Sequence, residues 1–256
     1  MRLTKRNYFG PKATREYMSV SQFKAFEKCQ FTALDEIRGK YVRPMTTSLL
    51  IGSYVDAYFE GTLEKFILEH PEILKRDGSL KSEYVHANTI IERIKRDPTS
   101  MRLLGGKKQV IMTGVINGVN VKVKIDSLLP DMIVDQKIMK DFEPIYVQEQ
   151  GKLPWFEAWR YDLQGGVYQE VVRQNTGKKL PFVLLGATKE PVPDIDAVEI
   201  EQDLLDYELS KFAENAPYYN AIKQGIVDAE RCEKCDRCKD TKVLTRIRKS
   251  GEFINE

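Results

Sequence analysis

The chain has 256 residues, a hydrophobic fraction of 42%, a charged fraction of 30% and a formal net charge of +2. This length can bury one substantial α/β core, and the composition is that of an ordinary soluble protein. Because no run of about 18 apolar residues exists, we expect no transmembrane helix. The start of the chain is basic but lacks an apolar stretch, so we expect no secretory signal and a cytoplasmic location.

Charge is distributed unevenly along the chain. Residues 1–50 hold ten Lys or Arg against four Asp or Glu, and residues 231–256 hold eight against five. The residues between them hold 22 basic against 29 acidic side chains. Basic ends around an acidic centre suit a protein that grips a phosphate backbone and cleaves it, although such a partition also arises by chance.

The predicted elements alternate between helices and strands. Residues 1–18 are predicted to form an irregular basic arm, followed by a single domain over 19–256. Apolar spacing, with Ser21 as the first N-cap and glycines as stops, predicts helices over 21–39, 47–60, 62–70, 79–97, 155–174 and 202–224. Apolar runs predict strands over 108–116, 119–129, 132–138, 181–188 and 196–200. This order indicates a mixed α/β sheet with a helical N-terminal side.

Two turn signals define a β-hairpin that carries two aspartates. Asn117-Gly118 marks one tight turn and Pro130-Asp131 marks the next. If the second pair forms the loop, Asp126 lies opposite Asp135, and directly opposed residues have Cβ atoms about 4.5–5.5 Å apart. Lys137 lies two residues beyond Asp135 and therefore points the same way.

The two aspartates require a positive partner. Carboxylates at that separation repel each other unless a cation lies between them, and magnesium, a hard ion held by carboxylates, water and phosphate oxygens, fits this requirement. Lys122 and Lys124 share the polar face and could neutralise the aspartates instead, and Lys137 could simply form a salt bridge. The residues alone leave both interpretations open.

Asp126, followed by Asp135-Gln136-Lys137 on the adjacent strand, resembles the PD-(D/E)xK nuclease superfamily. Three further segments resemble its RecB-like branch, in the order of that branch and over roughly residues 19 to 240. They are Ser19-Val-Ser-Gln-Phe-Lys-Ala-Phe-Glu-Lys-Cys29, Gly52-Ser-Tyr-Val-Asp56 and Tyr161-Asp-Leu-Gln-Gly-Gly-Val-Tyr168. The nearest likeness is to RecE-like exonucleases of phages and prophages, including the ending Cys232-Glu-Lys-Cys-Asp-Arg-Cys238.

The resemblance implies a PD-(D/E)xK restriction-endonuclease-like core with a mixed central sheet flanked by helices. It also implies that Asp126, Asp135 and the backbone carbonyl of Gln136 hold Mg²⁺ or Mn²⁺. Lys137 would stabilise or orient the attacking water. A bound metal lowers the pKa of its water and so supplies a nucleophile at neutral pH.

Three more residues belong to the implied site. Asp56 falls where relatives place a histidine ligand, and a carboxylate there is a harder ligand that suits magnesium. The alternative is a solvated aspartate on the helix surface. Gln164 and Tyr168 are i, i+4 neighbours on one helix, and in the resembled branch this face borders the active site and contacts DNA or supports the metal.

All four cysteines fall in two places, Cys29 near the start and Cys232, Cys235 and Cys238 within segment 231–240. A Cys-x-x-Cys-x-x-Cys run in an intracellular protein more often holds a metal than a disulfide. AddB-like and CRISPR-associated relatives bind a [4Fe–4S] cluster with one N-terminal and three C-terminal cysteines, which implies such a cluster here in a structural role. The C-terminal spacing departs from theirs, so zinc or a metal-free quartet remains an alternative.

The function implied by the resemblance is a metal-dependent DNA exonuclease of phage recombination in the cytoplasm of a bacterial host cell. It would resect linear duplex DNA for a RecT-like single-strand annealing protein and could form a closed homo-oligomeric ring, with no membrane partner. The alternatives are a CRISPR-adaptation or repair nuclease, and a non-catalytic DNA-binding protein with a metal-stapled nuclease fold. The sequence leaves the polarity of digestion and the choice between exonuclease and endonuclease open.

Overall fold

The structure is a computed structural model that describes residues 1–247 and 249–253. The α-helices in that part of the chain are α1 (Pro11–Glu16), α2 (Val20–Lys28), α3 (Gln30–Ile37), α4 (Thr47–Phe59), α5 (Leu63–Glu69), α6 (Ser82–Lys95), α7 (Pro98–Leu103), α8 (Trp155–Ala158), α9 (Tyr161–Thr176), α10 (Gln202–Gln224) and α11 (Asp236–Asp240). The strands are β1 (Lys107–Ile116), β2 (Val119–Leu128), β3 (Ile133–Met139), β4 (Ile145–Val147), β5 (Gly151–Leu153), β6 (Phe182–Thr188) and β7 (Ile195–Glu199).

Five strands form the central sheet in the order β1-β2-β3-β6-β7. The β3–β6 pair is parallel and the other pairs are antiparallel, while β4 and β5 form a separate two-stranded hairpin. Strand side chains alternate between two apolar layers, one packed on α2, α3, α9 and α10 and the other on α4 and α6. The predicted mixed sheet flanked by helices is therefore confirmed.

The predicted turns and hairpin register are confirmed. Asn117 and Gly118 have φ values of 45° and 76°, as the central residues of a type I′ turn require. On the second hairpin, Ser127 pairs with Val134, and the amide of Leu129 donates to the carbonyl of Met132 over 3.0 Å. The β2–β3 ladder ends at Ser127, so Asp126 and Asp135 are the first residues beyond it.

The segment before α2 pairs with the part of β2 that does not pair with β3. The Met18 amide donates to Asn120 O over 2.7 Å, and the Lys122 amide donates to Met18 O over 2.9 Å. Tyr8 and Met18 are buried. The prediction of an irregular arm over 1–18 is wrong for this segment, because α1 forms within it and its end pairs with the sheet.

The helix predicted over 21–39 is two helices, because Cys29 has an extended backbone between α2 and α3. The N-cap is Ser19, not Ser21. Ser19 Oγ accepts from the Gln22 amide over 3.3 Å, and Gln22 Oε1 accepts from the Ser19 amide over 3.4 Å. This is a capping box, which satisfies two otherwise unpaired amide groups.

The helix predicted over 155–174 is also divided, into α8 and α9. Arg160 adopts a left-handed conformation with φ of 54° at the division. Its guanidinium ion-pairs with Glu27 of α2 and Glu208 of α10, each at 2.6 Å. These long-range pairs favour the break over a continuous helix.

Candidate active site

The two predicted aspartates meet where β2 and β3 separate. Asp126 falls opposite Gln109 of β1 by register, but the two form no ladder pair. The Asp126 carboxylate is held by side-chain bonds instead. Gln109 Nε2 donates to Oδ1 and the Gln136 backbone amide donates to Oδ2, each over 3.1 Å. Asp126 is thus fixed by both neighbouring strands.

Asp135 is buried, with 2% of its surface exposed. Gln164 Nε2 of α9 donates to Asp135 Oδ1 over 2.7 Å. The ammonium of Lys137 forms an ion pair with Asp135 Oδ2 and lies 4.7 Å from the centre of the Tyr161 ring. The salt bridge considered for Lys137 on sequence grounds is therefore present in the structure.

Three buried side-chain atoms of the described residues lack a hydrogen-bond partner, and all belong to this site. They are Gln109 Oε1, Asp135 Oδ2 and Gln136 Nε2, and the Asp135 oxygen has only its ion pair with Lys137. Buried polar atoms are normally satisfied. Gln109 Oε1 and Asp135 Oδ2 are oxygen acceptors, and oxygen is the ligand atom that Mg²⁺ takes. The donor set therefore fits a hard divalent cation.

Asp56 approaches the same centre from α4. Burial raises its pKa, and the nearby carboxylates of Asp126 and Asp135 act in the same direction while Lys137 opposes them. Asp56 also lines the cavity that contains both aspartates, together with Glu60 one turn later. The structure therefore places Asp56 at the site and not on a solvated helix face.

Burial and neighbouring charges shift the pKa values of the ionisable groups at this site. Burial, reinforced by Asp135, raises the pKa of Asp126 to about 7. Burial opposes the charged form of Lys137, but Asp135, Tyr161 and Asp126 together raise its pKa. A divalent cation among the carboxylates would lower their pKa values, because opposite charge favours the ionised form.

The side chains of Asp56, Asp126 and Asp135 form a less compact group than the four cysteines do. Among the described residues, the four cysteines are the one group of three or more potential metal ligands found in such an arrangement, with their sulfurs all within 4.8 Å of one another. The ion pair between Lys137 and Asp135 holds one carboxylate toward the lysine. The metal-ligand roles of Asp56, Asp126, Asp135 and the Gln136 carbonyl stay predictions.

Gln164 and Tyr168, the predicted pair on α9, contact different strands. Gln164 bonds Asp135, whereas the Tyr168 hydroxyl donates to the backbone carbonyl of Lys124 in β2 over 3.2 Å. Both side chains line the cavity of the aspartates. Gln164 thus positions a carboxylate, and Tyr168 ties α9 to the strand that carries Asp126.

Two residues of the site were missed by sequence reasoning. Gln109 bonds Asp126, and its φ of 53° is a conformation that strains a side-chain-bearing residue and is often found at functional sites. Lys24 of α2 also lines the cavity. Burial, reinforced by Lys137 and Arg160, lowers the pKa of Lys24 to about 7. Gln109 belongs to no motif, whereas Lys24 lies within the segment Ser19–Cys29 that carries the family resemblance and was not singled out there.

Two cavities meet at the carboxylates. One, of about 480 Å³, has basic and hydroxyl-bearing residues in its lining, namely Ser19, Ser21, Lys24, Lys122 and Lys124. The other, of about 650 Å³, includes Trp159 and Lys189. Asp56, Gln136 and Lys137 line both. Together the cavities form an open cleft with positive charge beside the carboxylates, which suits a phosphate backbone.

The four cysteines converge, as predicted. Cys29 Sγ lies 3.6 Å from Cys238 Sγ, and Cys232 Sγ lies 3.9 Å from Cys238 Sγ. Cys235 contributes the fourth sulfur, and all four lie within 4.8 Å of one another. None of them lines the two cavities at the carboxylates, so this group forms a second centre.

Comparison with known proteins matches residues 19–241 to the model of a family described as a PDDEXK-like domain of unknown function, DUF3799. A crystal structure of a "putative exonuclease" from Eubacterium rectale is 41% identical, with a TM-score of 0.96 over 100% of this chain and 99% of that one. The solved structure of SSO0001 is 12% identical over 74% of this chain and 85% of that one, and its TM-score of 0.28 is too low to bear on the fold. No curated protein matches the sequence.

Proposed function

The chain belongs to the family of PDDEXK-like domains, and we propose that it is a metal-dependent exonuclease that hydrolyses phosphodiester bonds of linear duplex DNA. The observation that carries the proposal is the meeting of Asp126, Asp135 and Lys137 where β2 and β3 separate, beside the buried Gln109 Oε1 that has no hydrogen-bond donor. The similar structure from Eubacterium rectale, described as a putative exonuclease, supports the choice of activity.

Asp126, Asp135 and Asp56 are the side chains that would hold Mg²⁺ or Mn²⁺. A divalent metal there supplies charge neutralisation at the phosphate and a water of lowered pKa. The protein's own contribution is to fix the ligands. Gln109 and the Gln136 amide orient Asp126, and such outer contacts set the direction and basicity of ligand groups.

Lys137 and Gln164 act on Asp135 from opposite sides. Gln164 holds one carboxylate oxygen by a hydrogen bond, and Lys137 pairs with the other. A cation held by Asp135 would compete with this ion pair, and Lys137 would then be able to face the attacking water or the phosphate. In that position its positive charge stabilises the developing negative charge of the transition state.

DNA is the substrate that the surrounding charge supports. Lys24 and Lys124 line the cavity that also holds the aspartates, and lysines beside a cleft attract a phosphate backbone. Trp159, of which 52% is exposed, lines the adjoining cavity. An exposed indole there can stack on a base.

The biological setting proposed is phage recombination in the cytoplasm of a bacterial host cell. It rests on the resemblance to RecE-like exonucleases, which also supports a RecT-like annealing protein as the partner that takes up the product strand. A closed ring of this chain is proposed on the same ground, with the aspartates facing the channel. Among residues 1–247 and 249–253, no helix is both long and apolar enough to cross a bilayer.

The test of the function is digestion of end-labelled duplex DNA with Mg²⁺. Linear DNA and a covalently closed circle of the same sequence are compared, with Asp135→Asn as the inactive control. Degradation of the linear form alone supports an exonuclease, and cleavage of the circle indicates an endonuclease. Activity of Asp135→Asn equal to wild type would refute the assigned site.

A further inference from the structure

We propose that Cys29, Cys232, Cys235 and Cys238 bind a single Zn²⁺ ion in a tetrahedral site, and not the [4Fe–4S] cluster that the family resemblance implies. The four sulfurs come from two ends of the chain and form one compact group. Sulfur spacing, backbone restraints and nearby charge each support a mononuclear metal. The proposal does not depend on the nuclease activity.

Sulfur spacing is the main argument. Zinc bound by four thiolates has Zn–S bonds of about 2.3 Å, which places the sulfurs about 3.8 Å apart in a tetrahedron. The structure has sulfur pairs at 3.6 and 3.9 Å, with no pair beyond 4.8 Å. In a [4Fe–4S] cluster each iron takes its own thiolate, so the thiolates stand outside a body of eight atoms and must lie farther apart.

The backbone resists the expansion that a cluster would need. Cys29 joins two helices, because its amide donates to Ala25 O and its carbonyl accepts from the Ala33 amide, each over 3.0 Å. The tail is tied beside it: the Phe31 amide donates to Glu230 O, and the Glu230 amide donates to Gln30 Oε1, each over 2.9 Å. Separating the sulfurs would therefore strain both the helix junction and its contact with the tail.

The surroundings suit a closed site with excess negative charge. Cys29 and Cys238 are 6% and 0% exposed. The Cys235 amide lies 3.3 Å from Cys232 Sγ as a hydrogen-bond donor. Arg231 donates to the carbonyl of Cys238 over 2.6 Å. Four thiolates around Zn²⁺ leave a net charge of about −2, and an arginine beside the loop partly neutralises it.

The ion would fix the helix that borders the DNA cleft. It links residue 29 to a loop about 200 positions later, and closing so long a loop stabilises a fold because it lowers the entropy of the unfolded chain. Cys29 ends α2, and α2 carries Ser19 as its N-cap and Lys24 in the cleft. The zinc would therefore stabilise the entrance of the cleft without taking part in hydrolysis.

The test is metal and sulfide analysis of protein produced with both iron and zinc in the medium and purified without oxygen. We expect about one zinc per chain, no sulfide and a colourless solution. Exchange with Co²⁺ should give the visible absorption of tetrahedral thiolate coordination. Stoichiometric iron with sulfide would overturn the proposal, and so would a folded chain that takes up neither metal.

Two variants sharpen the test. Cys235→His should keep about one zinc, because Cys₃His is a normal zinc ligand set, and should shift the Co²⁺ spectrum. Cys232→Ser should lose zinc and melt earlier. Cys235 and Cys232 are partly exposed, so both changes can be accommodated without repacking a core. Wild-type zinc content that survives Cys232→Ser unchanged would contradict the shared site.

Discussion

Gln164 donates a hydrogen bond from Nε2 to Asp135 Oδ1 across 2.7 Å, and so connects α9 to the end of the β2–β3 ladder. The other carboxylate oxygen, Oδ2, pairs with the Lys137 ammonium. The same helix face carries Tyr168, which bonds the strand of Asp126. One helix therefore contacts both the Asp135 carboxylate and the strand that carries Asp126.

Replacing Gln164 should weaken the metal site more than the fold. Gln164→Leu should lower activity or metal affinity about 10- to 100-fold, the usual effect of losing a residue that orients a ligand. Gln169, also on α9, bonds Leu180 O and Gln202 away from the cavity. Gln169→Leu should lower the melting temperature and leave the Mg²⁺ dependence unchanged. The reverse pattern would remove Gln164 from the site.

Asp126 should make the metal-free protein less stable as pH rises. Its pKa of about 7 in the folded protein exceeds the value of about 3.9 in an unfolded chain. The folded state therefore binds the extra proton, and stability falls as pH rises from about 4 to about 7. In chelator, Asp126→Asn should melt above wild type at pH 8 and close to it at pH 4.

Magnesium should reverse that pH effect in the wild type. A cation and a proton compete for the same carboxylates, so Mg²⁺ should raise the melting temperature more at pH 8 than at pH 5.5. Asp126→Asn should lose most of this gain. A metal response that is equal at both pH values would show that Asp126 is not a ligand.

Lys24 should make DNA binding pH-dependent. Because its pKa is lowered to about 7, its charge is present below that pH and lost above it. In Ca²⁺, affinity for a short duplex should fall between pH 6 and 8 in the wild type, and Lys24→Met should flatten the profile. Lys28 is exposed one turn later on α2, so Lys28→Met is the matched control and should keep the wild-type slope.

Calcium should support binding without cleavage. Its looser coordination geometry places a water poorly for in-line attack, whereas Mg²⁺ and Mn²⁺ hold it well. Gel-shift and digestion assays on the same labelled duplex would compare the three ions, with excess chelator as the blank. Strong hydrolysis in chelator would contradict the metal-dependent mechanism.

Local signals predicted the positions of Asp126 and Asp135 because turns fix hairpin register. They did not predict the interruptions of the helices at Cys29 and Arg160, because these depend on partners about 200 and 130 residues away. Gln109 was missed for a related reason. Gln109 has a left-handed backbone and bonds Asp126 only because β1 pairs with β2. No neighbouring residue in the sequence predicts either feature.

The central claim is that Asp135 and Lys137 serve hydrolysis at the end of the β2–β3 ladder. The single-turnover rate is measured on end-labelled linear duplex with Mg²⁺, for wild type, Asp135→Asn, Lys137→Met and Lys178→Ala. Lys178 follows the end of α9, is exposed and lines neither cavity at the carboxylates, which makes it the control lysine. We expect losses of at least about 100-fold for the first two variants and a wild-type rate for the third. Wild-type rates in Asp135→Asn or Lys137→Met, with the fold intact, would contradict it.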